Sequence, residues 1–147
     1  MKKILAMAVI SIFVLGALIG ASFAEGYGKQ KVVYHIDYDD VKHQISAMRN
    51  IQNHIDAVGA DKLDLRVVMH AKGYTLLKRA NSDPNFRQKV ANLKKQGVKM
   101  LICATTIRRK KINVKNDLYD VDPEDIVPSG VAEIAQLQKL GYSYVKP

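Results

Sequence analysis

The chain has 147 residues, with 23 Lys and Arg against 14 Asp and Glu, so its formal net charge is +9. This length is enough for one domain that buries a core without disulfides, and the single cysteine excludes an internal disulfide. A basic charge suits nucleic acid, but the sequence has no zinc-finger spacing, no RNP-like aromatic motif and no long arginine-rich run. We therefore expect no nucleic-acid partner.

The first 24 residues have the pattern of a secretory signal peptide. Lys2 and Lys3 precede an apolar run over residues 4–19, and small residues over 20–24 predict cleavage after Ala24. An uncleaved membrane anchor is the alternative, because residues 4–24 are just long enough to span a bilayer. Cleavage leaves a single periplasmic or secreted domain over residues 25–147 with a net charge of +7, since 21 basic residues then face 14 acidic ones.

A strand, a helix and a second strand open the mature sequence. β-branched and aromatic residues predict the first strand over residues 31–37. One of the aspartates in residues 37–40 is expected to cap the helix that follows. Apolar residues at three- and four-residue steps predict that helix over 41–58. A near-continuous apolar run predicts the next strand over 63–70, buried on both faces.

Two helices and a third strand come next. The predicted helices cover residues 73–79 and 84–96, and the third strand covers residues 98–103. A short basic helix or turn follows over 105–111. Residues 113–125 show no periodicity and are predicted to form a surface loop with little order of its own.

The last part of the chain returns to the same alternation. A short strand over 125–128 leads to Ser129, which is expected to cap a helix over 131–140. An alternating segment over 142–147 is predicted as the terminal strand. Because strands and helices alternate through the mature sequence, we predict a parallel α/β sheet covered by helices on both faces.

Cys103 lies at the end of the third predicted strand, directly before the short basic helix. Ligands of open α/β sheets bind at such strand ends, and a helix start favours a thiolate over a thiol. An exposed strand end is expected to limit the desolvation of that thiolate. The alternative is that Cys103 is only a small buried hydrophobe. Arg108 and the basic residues after it either form a solvated face or lower the thiol pKa and attract an anionic sulfur donor.

Histidines give one further candidate. His70 ends the second predicted strand as Cys103 ends the third, so a Cys–His pair could form if these strands are neighbours. A solvated strand-end histidine is the alternative. His35 lies inside the first strand and is expected to be structural, and His43 and His54 lie too far apart on one helix to share a metal. The sequence therefore predicts no metal site.

Five short segments of the mature sequence carry a resemblance to a known family. They are Asn50-Ile51-Gln52-Asn53, Val67-Val68-Met69-His70, Cys103 followed by Thr106-Ile107, residues 127–133 and residues 141–147. With these segments the chain resembles the DsrE/DsrF-like family of sulfur-relay proteins over nearly the whole mature sequence.

The resemblance implies a three-layer α/β/α domain with a five-stranded, mainly parallel sheet, assembled as a homo-oligomer of three or six chains. It also implies that Cys103 carries a persulfide and passes its outer sulfur to a partner thiol, without a cofactor. The resemblance assigns a role to Cys103 only. From their positions next to it, we expect the helix start, Thr105, Thr106 and Arg108 to stabilise the sulfur anion. Thr105 stands where the resemblance leads us to expect asparagine.

His70 and Ser129 complete the set of candidate pocket residues. The leading hypothesis is an exported sulfur carrier whose donor and acceptor the sequence does not identify. Two alternatives stay open. One is a non-catalytic oligomeric binding module of the periplasm, and the other is a thiol redox sensor.

Overall fold

One parallel sheet forms the centre of the protein. The computed structural model describes residues 26–147, so the predicted signal peptide over residues 1–24 lies outside the described residues. The strands of the sheet are β1 (Gln30–Ile36), β2 (Leu63–Met69), β3 (Lys99–Cys103), β4 (Ile126–Val127) and β5 (Ser143–Val145). Their order is β4-β3-β2-β1-β5, and every neighbouring pair is parallel. The predicted five-stranded parallel sheet is confirmed.

Helices fill the connections between the strands. They are α1 (Val41–Val58), α2 (Thr75–Ser82), α3 (Pro84–Lys95), α4 (Ala104–Lys110), α5 (Val114–Asp117) and α6 (Gly130–Lys139), with 3₁₀ turns at Ala60–Lys62 and Pro123–Asp125. Within residues 26–147, no helix is long and apolar enough to cross a membrane.

The sheet is buried on both faces, because successive side chains of a strand point to opposite sides. Val32 and Tyr34 of β1 belong to the core that α1, α2 and α3 cover, whereas Val33 belongs to a separate core. That second core also holds Ile134 and Leu137 of α6. The result is the three-layer α/β/α arrangement implied by the sequence.

Side chains cap the starts of the helices α1, α3 and α6. Asp40 Oδ1 accepts a hydrogen bond of 2.6 Å from the backbone N–H of His43 at the start of α1. Asp83 caps α3, in which Pro84 occupies the first turn. Ser129 Oγ accepts from the N–H of Ala132 at the start of α6. These caps fix where each strand-to-helix connection ends.

The segment over residues 113–125 corrects a prediction, because it is not a loop with little order. Asn113 caps the short helix α5, and Leu118 is only 3% exposed in the core on the α1 side of the sheet. Asp125 is buried and its carboxylate lies 3.6 Å from Lys94 Nζ. The burial of Leu118 and the ion pair of Asp125 depend on distant parts of the chain, so the local sequence pattern does not reveal them.

Gly73 lies where the loop after β2 crosses the end of β1. A Cβ atom at this position would lie 1.9 Å from the carbonyl oxygen of Ile36. The same carbonyl accepts a hydrogen bond of 3.3 Å from the N–H of His70. The loop can therefore run this close to β1 only with glycine at position 73.

We expect Gly73→Ala to lower the free energy of unfolding by about 3 kcal/mol, because the added methyl group collides with backbone that cannot move aside. Gly28→Ala is the matched control, since a Cβ atom there meets no other atom within 4 Å. Urea denaturation of both variants measures the difference. Equal transition midpoints for the two variants would show that the loop relaxes at no cost.

Candidate functional site

A cavity of about 410 Å³ opens at the carboxyl ends of β2 and β3. Its lining includes His70 after β2, Cys103, Thr105 and Thr106 around the start of α4, and Ser129 before α6. Five of the six residues that the sequence selects therefore surround one space. Arg108 is exposed and lies outside this lining.

Sheet register explains why these residues meet. Met69 pairs with Ile102 in the parallel β2–β3 ladder, so His70 and Cys103 come next to each other at the same edge. Cys103 itself pairs with Val127 of β4. The chain that leads from β4 into α6 therefore passes beside the sulfur.

Cys103 is buried, with only 5% of its surface exposed, which corrects the expectation of an exposed strand end. Burial raises the pKa of the Cys103 thiol. The backbone N–H groups of Gly130, Thr106 and Thr105 and the Thr106 hydroxyl lower that pKa, and their combined effect holds it below its ordinary value. Backbone N–H groups and the Thr106 hydroxyl, and not the Arg108 side chain, stabilise the thiolate.

Thr106 connects the thiol to the loop after β2. Its side chain is buried, and its Oγ1 accepts a hydrogen bond of 3.0 Å from the N–H of Ala71. Ala71 has a φ of 49°, a left-handed conformation that costs a residue with a Cβ atom about 1–2 kcal/mol. The hydrogen bond holds this strained loop against α4. Thr105 differs, since its hydroxyl donates to the Pro128 carbonyl at 3.3 Å.

Gly130 is a site residue that the sequence analysis misses. A Cβ atom there would lie 2.9 Å from His70 Cβ and 3.4 Å from Cys103 Cβ. The absence of a side chain lets the first turn of α6 approach the sulfur closely enough to donate its N–H. The sequence signal for this role is a glycine directly after Ser129, the predicted helix cap.

Basic side chains enter the cavity from α4. Arg109 and Lys110 line it, one and two residues beyond the predicted Arg108. A helix turns by about 100° per residue, so a shift of one position changes the face on which a side chain lies. The positive charge expected beside the thiol is therefore present, and it comes from two of the basic residues after Arg108 and not from Arg108 itself.

His70 has a different partner from the predicted one. Its Nε2 lies 2.6 Å from Nε2 of His35, with the two rings stacked at 4.7 Å. Among the described residues no hydrogen bond joins His70 to Cys103. The geometry thus replaces the predicted Cys–His pair with a His–His pair beside the thiol.

A short network continues from the His–His pair to the last strand. His35 Nδ1 lies 2.8 Å from the hydroxyl of Tyr144, and Asp37 forms an ion pair with Lys146. Burial, together with the charges of Lys146 and His70, lowers the pKa of His35 to about 4 against the opposing charge of Asp37. Burial also lowers the pKa of His70. Both imidazoles are therefore neutral near pH 7.

Three comparisons show which known proteins this chain is similar to. The model described as the DsrE/DsrF-like family matches residues 31–147. Among solved structures, the chain is similar to a protein of unknown function, MTH1491, from Methanobacterium thermoautotrophicum, with 29% sequence identity and a TM-score of 0.70. That similarity covers 81% of this chain and 100% of the other. The comparison with curated proteins finds no match.

We expect Thr106→Val to raise the pKa of the Cys103 thiol and to lower the free energy of unfolding by about 1–3 kcal/mol, because it removes a thiol partner and leaves the Ala71 N–H unpaired. Thr105→Val is the matched control, since it keeps the backbone N–H that faces the sulfur. The rate of alkylation as a function of pH measures the pKa. A rise moves the half-maximal rate to higher pH, because the thiolate is the reactive form.

The two threonine variants are compared with the unaltered protein under the same conditions. Identical pH profiles for all three proteins would contradict a role of the Thr106 hydroxyl at the sulfur.

Proposed function

This chain belongs to the DsrE/DsrF-like family, and from that membership we propose that it is an exported sulfur carrier that holds a persulfide on Cys103. The observation that carries the proposal is the position of this thiol. It lines a cavity, with backbone N–H groups that stabilise its anion.

The loading step is a nucleophilic displacement at sulfur. The Cys103 thiol first releases its proton to solvent, and the thiolate attacks the outer sulfur of a donor such as thiosulfate or a polysulfide. The new S–S bond forms as the donor's S–S bond breaks, and sulfite or a shortened polysulfide leaves with the electron pair. Cys103 is then a persulfide anion, and no external oxidant or reductant is consumed.

In the delivery step Cys103 is the leaving group, whereas in the loading step it is the nucleophile. A partner thiolate attacks the outer sulfur of the persulfide, and the Cys103 thiolate is the leaving group. A thiol with a lowered pKa leaves faster, so the same backbone donors assist both steps. This symmetry suits a carrier that must both accept and release sulfur.

Burial of Cys103 is compatible with this chemistry. The thiol sulfur lies at the protein wall of the cavity and is shielded from bulk solvent. A persulfide extends the side chain by one S–S bond of about 2 Å, which brings the outer sulfur into the open space. The reactive atom of the loaded form is therefore more accessible than the resting thiol.

Charge in the cavity favours an anionic sulfur donor. Arg109 and Lys110 line the space, and the mature chain carries an excess of seven positive charges. These groups raise the local concentration of anions and neutralise the charge of the bound donor. We therefore place thiosulfate and inorganic polysulfides ahead of neutral disulfides as donors.

Location is the second part of the proposal. The charged start and the apolar run over residues 4–19 support export, and the small residues before Glu25 support cleavage after Ala24. Amino-terminal sequencing of the protein isolated from its own cells should begin at Glu25. Recovery of the full-length chain only from membranes would instead identify an anchor.

We expect incubation with thiosulfate or polysulfide to add the mass of one or more sulfur atoms to the protein, and a reductant to remove it. Cys103→Ser should fold and take up none, because the acceptor sulfur is gone. Replacing both Arg109 and Lys110 with Gln should slow loading by about threefold to tenfold at low salt. Arg108→Gln is the matched control, since Arg108 lies outside the cavity lining. Intact-mass spectrometry over time measures all four proteins.

The same experiment separates the proposal from its rivals. A thiol that alkylates only after unfolding, with no sulfur added at any pH, would favour a binding module in which Cys103 is a packing residue. Formation of an interchain disulfide or a sulfenic acid in place of a persulfide would favour a redox sensor.

A further inference from the structure

Three potential metal ligands lie together at the carboxyl ends of β1 and β2. The nitrogen atoms of His35 and His70 and a carboxylate oxygen of Asp37 all lie within 4.8 Å of one another. His35 Nε2 is 2.6 Å from His70 Nε2 and 3.8 Å from Asp37 Oδ2. Parallel pairing of β1 with β2 brings these positions together, because Ile36 pairs with Met69 one residue before Asp37 and His70.

We propose that His35, Asp37 and His70 bind one divalent transition-metal ion of the Zn²⁺ class. Two imidazole nitrogens and one carboxylate oxygen form a ligand set that Zn²⁺ accepts, and three protein ligands leave the fourth position to water. The three ligand atoms lie within 4.8 Å of one another. The inference is independent of the proposed sulfur chemistry, because the cluster does not include Cys103.

The distance between the two histidine nitrogens requires only a small adjustment. On a tetrahedral ion with Zn–N bonds of about 2.0–2.1 Å, the two nitrogens would be separated by roughly 3.3 Å. The rings must therefore move apart by less than about 1 Å from their present contact. His70 is only half-buried, at the end of its strand, so rotation of its ring can supply that movement.

Outer contacts already orient two of the ligands. The Tyr144 hydroxyl lies 2.8 Å from His35 Nδ1, which directs Nε2 of the same ring toward the cluster. Lys146 binds Asp37 through Oδ1 and leaves Oδ2 facing His35. Metal-ligating histidines and carboxylates in proteins have partners of this kind on their far atoms. Tyr144 of β5 and Lys146, which directly follows that strand, supply these partners.

The cluster is also accessible to a metal ion. The side chains of His35 and Asp37 are 13% and 35% exposed, so an ion reaches the ligands from solvent without unfolding.

Titration of the metal-free protein with Zn²⁺ in a calorimeter tests the proposal. We expect one ion per chain, and a loss of affinity of more than about tenfold in His70→Gln and in Asp37→Asn, because each removes a ligand. His43→Gln is the matched control, since His43 lies outside the cluster and contacts the Pro147 carbonyl. Cys103→Ser should bind Zn²⁺ like the unaltered protein.

A second variant keeps the test decisive if a ligand substitution disturbs folding. Tyr144→Phe removes only the outer partner of His35, and Tyr144 is exposed enough to tolerate the change. We expect roughly tenfold weaker Zn²⁺ binding with an unchanged thermal transition of the metal-free protein. Circular dichroism of every variant checks the fold.

Three results would overturn the proposal. They are the absence of Zn²⁺ binding by the unaltered protein, equal affinity in the His70, Asp37 and Tyr144 variants, and loss of binding in Cys103→Ser. The last result would assign the ion to the thiol. Failure of sulfur loading at Cys103 with intact Zn²⁺ binding would reject only the proposed function.

Discussion

Parallel pairing of β1, β2 and β3 is the constraint on which the rest of the structure depends. Helices cover both faces of these strands, so a shift of one residue in register would exchange the apolar side chains of the two cores. The same pairing sets all three carboxyl ends at one edge. Asp37, His70 and Cys103, which are far apart in sequence, therefore lie side by side because the core is packed this way.

Two opposing effects meet at the Cys103 sulfur. Burial disfavours the thiolate, whereas the backbone N–H groups of Gly130, Thr106 and Thr105 and the Thr106 hydroxyl together favour it, and the pKa of the thiol lies below its ordinary value. These donors lie at the starts of α4 and α6, so the fold fixes their positions around the sulfur. Gly130 makes the arrangement possible, because any Cβ atom there would collide with His70. The Thr106 hydroxyl adds to the effect of the backbone N–H groups on the pKa of the thiol.

His70 separates two neighbouring chemical environments at this edge. Its carbon atoms face Gly130 and the thiol cavity, and its Nε2 faces His35. The thiol side is surrounded by backbone donors and basic side chains and suits anions. The imidazole side has nitrogen and carboxylate acceptors and suits a cation. A single strand end thus contributes to both the proposed sulfur site and the proposed metal site.

The sequence by itself determined the alternation of strands and helices along the chain apart from α5, the parallel class of the sheet, the cap at Ser129 and the position of Cys103 at a strand end. Those features depend on periodicity and on residues close in the chain, which local patterns record. Tertiary structure alone decided that His70 pairs with His35, that Arg109 and Lys110 face the cavity in place of Arg108, and that Leu118 is buried. Each of these outcomes depends on how elements far apart in sequence are oriented against one another, because a side chain's partner is set by strand register and helix rotation.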